Sequence, residues 1–192
     1  MYSRQGLGLY SRKGSIMKKI VATLLLGIFL SQTVYAKTNV KVEKVVKTSF
    51  DAVSDIETKR LILTKEQHRK VQARARAKVD TKVYRYYVFK SGSKTVGYGV
   101  LISRKVRTKM ATVLYGFTPA GTLKFSEIMA FGEPPEYIPN EIWMGQFKDK
   151  GRNTPLKMGK DIPTISGATL SARNISDGAR IARALLEIAI RK

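Results

Sequence analysis

Val83-Tyr84-Arg85-Tyr86-Tyr87-Val88-Phe89-Lys90 is dense in aromatic and β-branched residues, the composition of a strand on a pleated, half-buried surface. Ser91-Gly92-Ser93 then turns the chain. Residues 95–103 form a second strand, with Gly97 and Gly99 flanking Tyr98. Residues 106–117 read as a third strand, Pro119-Ala120-Gly121 as a turn, and residues 122–131 as a fourth strand. Connections this short cannot carry crossovers, so the run predicts an antiparallel meander.

Upstream, Thr64-Lys65-Glu66-Gln67 has the capping-box pattern, and an Arg-, Lys-, Gln- and Ala-rich helix follows to about residue 77. It contains the single histidine, His68, which sits between Gln67 and Arg69 and reads as a surface residue rather than a metal ligand. Residues 37–60 show no decisive period, so 37–80 is read as a mixed or helical extension ahead of a domain spanning 81–192. Downstream, Glu133-Pro134-Pro135-Glu136-Tyr137-Ile138-Pro139 is neither helix nor central strand, because its prolines remove donors and fix φ. Asn140 caps a short helix through residue 147 that carries the single tryptophan, Trp143, and a polar loop covers 148–164. Residues 171–190 are amphipathic, with Ile175, Ala179, Ala182, Leu186 and Ala189 at three- and four-residue spacing. The fold class is α+β: an antiparallel sheet with helices packed on it and an amphipathic helix at the C-terminal end.

Of 192 residues, 43% are hydrophobic and 26% charged, enough apolar material for a core. The absence of cysteine excludes a disulfide scaffold, thiolate metal sites, Cys-ligated iron–sulfur clusters, c-type haem and a lipoprotein anchor. The formal net charge is +22, which alone suggests nucleic acid as a partner. The N-terminus argues otherwise. Met17-Lys18-Lys19, an apolar run over 20–30 and Val34-Tyr35-Ala36 read as the three parts of a secretory signal cut after Ala36, with Met17 as the expected start unless Arg4, Arg12 and Lys13 extend its basic end; the alternative is an uncleaved membrane anchor, for which the run is shorter than the ~20 residues of a span. Residues 1–36 carry five basic residues (Arg4, Arg12, Lys13, Lys18 and Lys19) and no acidic one, so 22 less 5 leaves +17 on the mature chain. In the periplasm or its equivalent, the partners suited to that charge are anionic membrane surfaces and acidic redox proteins, not nucleic acid.

Ser166-Gly167-Ala168-Thr169-Leu170-Ser171 lies between the polar loop and the last helix. Small residues let backbone approach a bulky anion, a helix start offers free N–H groups, and Thr169 and Ser171 add hydroxyls. The same six residues also suit a plain loop with a Ser N-cap, and the local physics leaves both readings open.

Ser166-Gly167-Ala168-Thr169 resembles the attachment motif of the FMN-binding domain, found in the flavinylated small subunits of sodium-pumping and Rnf-type electron-transfer complexes and in stand-alone exported proteins. Gly97-Tyr98-Gly99, Val106-Arg107-Thr108-Lys109 and the run from Ile128 through Tyr137 also look like that family, and the likeness covers about residues 80–190. At the position three residues before Ser166, where members commonly have Asp, stands Pro163, and the nearest acid is Asp161. The resemblance implies FMN joined to Thr169 by a phosphoester, with Ser166, Gly167, Ala168, Leu170 and Ser171 around the attachment. Glu133, Tyr137 and Trp143 are the candidate neighbours of the flavin ring, and Arg107 the candidate partner of phosphate or ring. It also implies a separate magnesium-dependent flavin transferase as the modifying partner, and a redox protein or membrane electron-transfer complex as the electron partner. The implied role is an electron carrier without catalytic residues of its own. Two other readings stand beside it: a cofactor-free basic module docking on anionic membrane or an acidic partner, and an exported flavin-dependent reductase. The sequence holds no nicotinamide fingerprint.

Overall fold

In the computed structural model, which describes residues 39–191, five strands lie side by side in chain order, each antiparallel to the next. They are β1 (Asp55–Ile62), β2 (Val83–Ser91), β3 (Lys94–Lys105), β4 (Met110–Phe117) and β5 (Leu123–Phe131). The proposed signal segment falls outside the described residues. The meander expected from residue 83 onward is present, with one strand added at its front. All eight residues of β1 pair with β2, from Asp55 opposite Lys90 to Ile62 opposite Val83. The strand expected over 106–117 is β4, which begins only at Met110, because Val106 turns the chain and donates its N–H to the carbonyl of Lys109 at 2.9 Å.

Strand alternation sends successive side chains to opposite faces, and both faces are covered. Val100, Ile102, Val113, Tyr115 and Phe117 point to one side. There they meet α2 (Lys65–Ala75) and α4 (Thr169–Leu185), the latter extended by a π turn over Leu186–Ile190. Tyr87, Phe89 and Leu114 point to the other side and meet Phe50 and the buried Val42 and Val46 of α1 (Val40–Ser49). Between β5 and α4 come a single 3₁₀ turn at Pro135–Tyr137, the short α3 (Glu141–Met144) and a 3₁₀ turn at Gly145–Phe147. The proline-rich run thus makes one tight turn, begun by Pro135 where a missing N–H costs nothing. Residues 39–191 form one compact unit, and the stretch read as an extension supplies α1, β1 and α2 to it.

The two foreseen caps are in place. Thr64 accepts from the Gln67 N–H at 3.1 Å while the Gln67 side chain accepts from the Thr64 N–H at 3.0 Å. Asn140 Oδ1 accepts from the Trp143 N–H at 2.9 Å. Helix α4 is the element that matters for the site. Ala172, Ile175, Ala179, Ala182 and Leu186 are all fully buried. Burying a branched aliphatic such as Ile175 contributes about 1.5–3 kcal/mol. Two polar ties fix its position: Tyr115 Oη donates to the Ile175 carbonyl at 2.7 Å, and Asn174 Nδ2 donates to the Lys105 carbonyl at 2.8 Å. No helix among the described residues is long and apolar enough to cross a membrane.

Candidate cofactor site

The approach to α4 is built from the loop that precedes it. Asp161 accepts from the backbone N–H of Leu156 at 2.8 Å and of Lys157 at 2.9 Å, closing the loop on itself. Trp143 donates its indole N–H to the Pro163 carbonyl at 2.9 Å and packs edge-to-face on Phe147 with centroids 5.3 Å apart. The loop is therefore anchored just ahead of the motif. The Ile165 carbonyl then accepts both the Ala168 N–H at 3.3 Å and the Thr169 hydroxyl at 3.1 Å. Gly167 sits at φ +79°, a conformation that L side chains rarely adopt, which explains glycine at that place. Thr169 is the first residue of α4, is exposed, and has no side-chain cap ahead of it. The first-turn N–H groups lack helical acceptors by geometry, so this end carries partial positive charge.

The opposite wall comes from the β3–β4 turn and the segment after β5. Glu133 is only 7% exposed, yet its carboxylate is fully engaged. Its Oε1 accepts from the backbone N–H groups of Lys109 at 2.7 Å, Thr108 at 2.6 Å and Arg107 at 2.9 Å. These bonds, led by that from Lys109, hold its pKa down at about 2. Glu133 is thus a clamp on the turn that presents Arg107. The Arg107 guanidinium lies 5.9 Å from the centre of the Tyr137 ring, within cation–π range.

The two walls enclose a cleft of about 230 Å³. One is made by Val106, Arg107, Glu133 and Tyr137, the other by Gly167, Ala168, Thr169, Leu170 and Ser171. Eight of the ten sequence candidates meet here, drawn from three separate stretches of chain. Ser166 is exposed on the loop and does not line the cleft. Trp143 does not line it either. It is 7% exposed, belongs to the core, and acts on the site only by holding Pro163. Val106 is the lining residue that the sequence did not single out as a site residue; a hydrophobic residue at a strand end has no local mark distinguishing it from core. Arg107 is the cation facing the cleft, while the charge of Glu133 is already met by three N–H donors. The site favours an anion at the start of α4, beside an accessible hydroxyl, with an aromatic ring and the 44%-exposed Leu170 at hand for a flat apolar group.

Among the described residues no cluster of three or more His, Cys, Asp or Glu could hold a metal. His68 is half-buried, with its Nε2 2.9 Å from the Val79 carbonyl. A larger groove of about 580 Å³ runs along β5 and α3, but no candidate residue lines it. Its Lys124 and Glu127 are paired with Asp149 and Lys41 respectively. No protein-family model matches the chain, and a search of curated proteins finds no match.

Proposed function

We propose that this protein is an exported electron-transfer flavoprotein carrying FMN on Thr169 through a phosphoester. The observation that supports it best is the cleft. Arg107, Glu133 and Tyr137, read as candidates on resemblance alone, face the uncapped start of α4 and the exposed Thr169 hydroxyl across about 230 Å³. The residues fit the phosphate end of FMN. Free N–H groups and Arg107 suit its negative charge, and positive-φ Gly167 with Ala168 leaves the hydroxyl unobstructed. When bound, FMN would supply one- and two-electron chemistry through its ring, with the protein setting position and electrostatics.

Thr169 is held but not activated. Its hydroxyl proton is directed at the Ile165 carbonyl, which cannot act as a base at neutral pH, and no histidine lines the cleft. The family resemblance assigns attachment to a separate magnesium-dependent transferase acting on FAD, which would supply the base that the cleft lacks. Thr169 Oγ would form the bond to the FMN phosphorus as the pyrophosphate bond of FAD breaks, AMP would leave, and the hydroxyl proton would pass to the transferase or solvent. Pro163, in place of the usual acid, has its carbonyl engaged by Trp143, and Asp161 is engaged by its own loop. A transferase acting on this loop would therefore meet no free carboxylate at that place.

The test is co-expression with a flavin transferase and export, followed by denaturing electrophoresis with in-gel fluorescence. Wild type should fluoresce, Thr169→Ala should be dark, and Ser171→Ala and Ser166→Ala should still fluoresce. A fluorescent Thr169→Ala would show the acceptor to be another residue. A dark wild type beside an active transferase would remove the covalent bond from the proposal.

A further inference from the structure

A third cavity, of about 580 Å³, opens where the C-terminal end of α2 meets the far half of α4 and the 152–157 loop. Its charged lining is Arg74, Arg76, Arg152, Lys157, Arg180 and Arg183, and no acidic residue lines it. Three carboxylates lie close behind. Glu187 is shared between Arg74 at 2.8 Å and Arg152 at 3.2 Å, Asp177 pairs with Arg180 while also facing Arg104, and Asp161 accepts from the Lys157 N–H and acts on Arg183. Six lining cations against three carboxylates leave an excess of three positive charges on one concave surface. Thr169 and Arg183 are 14 residues apart on α4, ~21 Å along the helix axis, so this cavity is separate from the cleft at the start of α4.

Arg183 gives the surface its chemical character. It is 4% exposed, and its Nη1 donates to the carbonyls of Arg152 and Thr154, tying the loop to the helix. Its Nε and Nη2, and the Nε of Arg180, are buried and meet no protein acceptor among the described residues. A fold that needed only to tie the loop could do so with a neutral donor. A buried guanidinium with donors left over is unfavourable, and negative charge placed beside it offsets that cost. Burial lowers the Arg183 pKa to about 10, so it stays charged at neutral pH. Planar guanidinium forks converging with a lysine are the donor set that matches phosphate oxygens.

We propose that this cavity binds a phosphoryl anion carrying at least two negative charges. The anion sits against the cations that line the cavity, with Arg76, Arg152 and Lys157 on its exposed side and the guanidinium of Arg183 on its buried side. This site stands independently of the flavin reading and needs no cofactor on Thr169. The shared chemistry is the phosphate group, whether in a soluble phosphorylated molecule or in an anionic lipid headgroup.

The test titrates inorganic diphosphate into the purified full chain by isothermal calorimetry at about 0.1 M salt, where exposed charges more than ~10 Å apart are largely screened. Wild type should bind one diphosphate saturably with a Kd below ~1 mM. Arg76→Gln/Lys157→Gln removes two exposed lining cations without touching the Arg183 ties, and should weaken binding by about tenfold. Lys44→Gln/Lys94→Gln removes the same charge elsewhere and should change Kd by less than about twofold, a fraction of the tenfold step. Absence of saturable binding, or equal weakening in both double variants, would overturn the site and leave a diffuse basic surface. A parallel arm measures binding to vesicles of phosphatidylglycerol and phosphatidylcholine in equal amounts. Vesicle binding that diphosphate displaces and that the Arg76/Lys157 variant loses identifies the lipid headgroup as the source. Vesicle binding that is absent, or indifferent to diphosphate, identifies a soluble anion.

Discussion

Replacing Gly178 with alanine tests how α4 is seated, and with it the position of Thr169. On an isolated helix the change is favourable by about 1 kcal/mol, since alanine is the best helix former and glycine among the worst. In this fold a Cβ at 178 would lie 2.5 Å from Tyr115 Oη, with the ring carbons behind it at 3.3 and 3.4 Å. Tyr115 is 1% exposed and its hydroxyl already donates to the Ile175 carbonyl, so it has nowhere to retreat. Forcing an extra methyl into such packing costs about 1–3 kcal/mol. Breaking the hydroxyl's bond while leaving it buried adds about 1–3 kcal/mol more. Steric loss outweighs the propensity gain, and the net destabilisation is about 3 kcal/mol. For a domain of this size that corresponds to a fall of about 6–12 °C in Tm. Tyr115→Phe removes the atom in the way. The double variant Tyr115→Phe/Gly178→Ala should therefore be less destabilised than the sum of the singles, with a coupling of about 1 kcal/mol or more. Thermal and urea unfolding of the four proteins measures the cycle. A Gly178→Ala protein as stable as wild type, or strict additivity in the cycle, would refute the close contact between Tyr115 and α4.

Because the folded-state pKa of Glu133 is depressed to about 2 from 4.5, its contribution to stability is complete above pH 4.5 and is lost as pH falls towards 2. Urea unfolding should show that loss in wild type and a smaller one in Glu133→Gln, which should also be less stable at neutral pH; identical acid limbs would argue against the three-N–H clamp. Arg107→Gln in FMN-loaded protein should lower the flavin midpoint potential by about 10–20 mV, the equivalent of up to ~1 kcal/mol for a partly exposed charge near a reduced anion. Spectroelectrochemistry checks this, and an unchanged potential would place Arg107 away from the ring. Thr64→Ala dismantles the capping box of α2 and should cost about 1 kcal/mol in equilibrium unfolding without changing in-gel flavin fluorescence.

Much of the fold is legible along the chain because its cause is local. Alternating aromatic and β-branched residues over 83–131 can bury a face only as a meander, and Thr64 and Asn140 satisfy donors within three residues of themselves. Strand β1 was not legible. Its Asp-Ile-Glu-Thr-Lys-Arg-Leu-Ile sequence keeps three charged residues in a row of five, and only the outer position in the sheet makes that a strand, since edge strands use charge to discourage further pairing. The amphipathic pattern of α1 was equally quiet, because only two buried valines mark it and the face they cover exists only once the sheet is built.

For the site, the sequence by itself determined the chemistry on offer: a small-residue motif ending in a hydroxyl at the start of an amphipathic helix, and a strongly basic surface. Tertiary structure decided which residues line one cleft. Glu133 and the 107–109 backbone are more than twenty residues apart, and nothing in either stretch shows that one clamps the other. Trp143 is as plausible a ring neighbour as Tyr137 until packing puts one in the core and the other on the cleft. The cationic cavity is the extreme case. Its six charges come from α2, a loop and α4, each unremarked in a chain with 36 basic residues, and only folding makes them converge. Local sequence determines which groups a segment can satisfy for itself; it carries no record of which distant groups will be left facing one another once the apolar faces have closed.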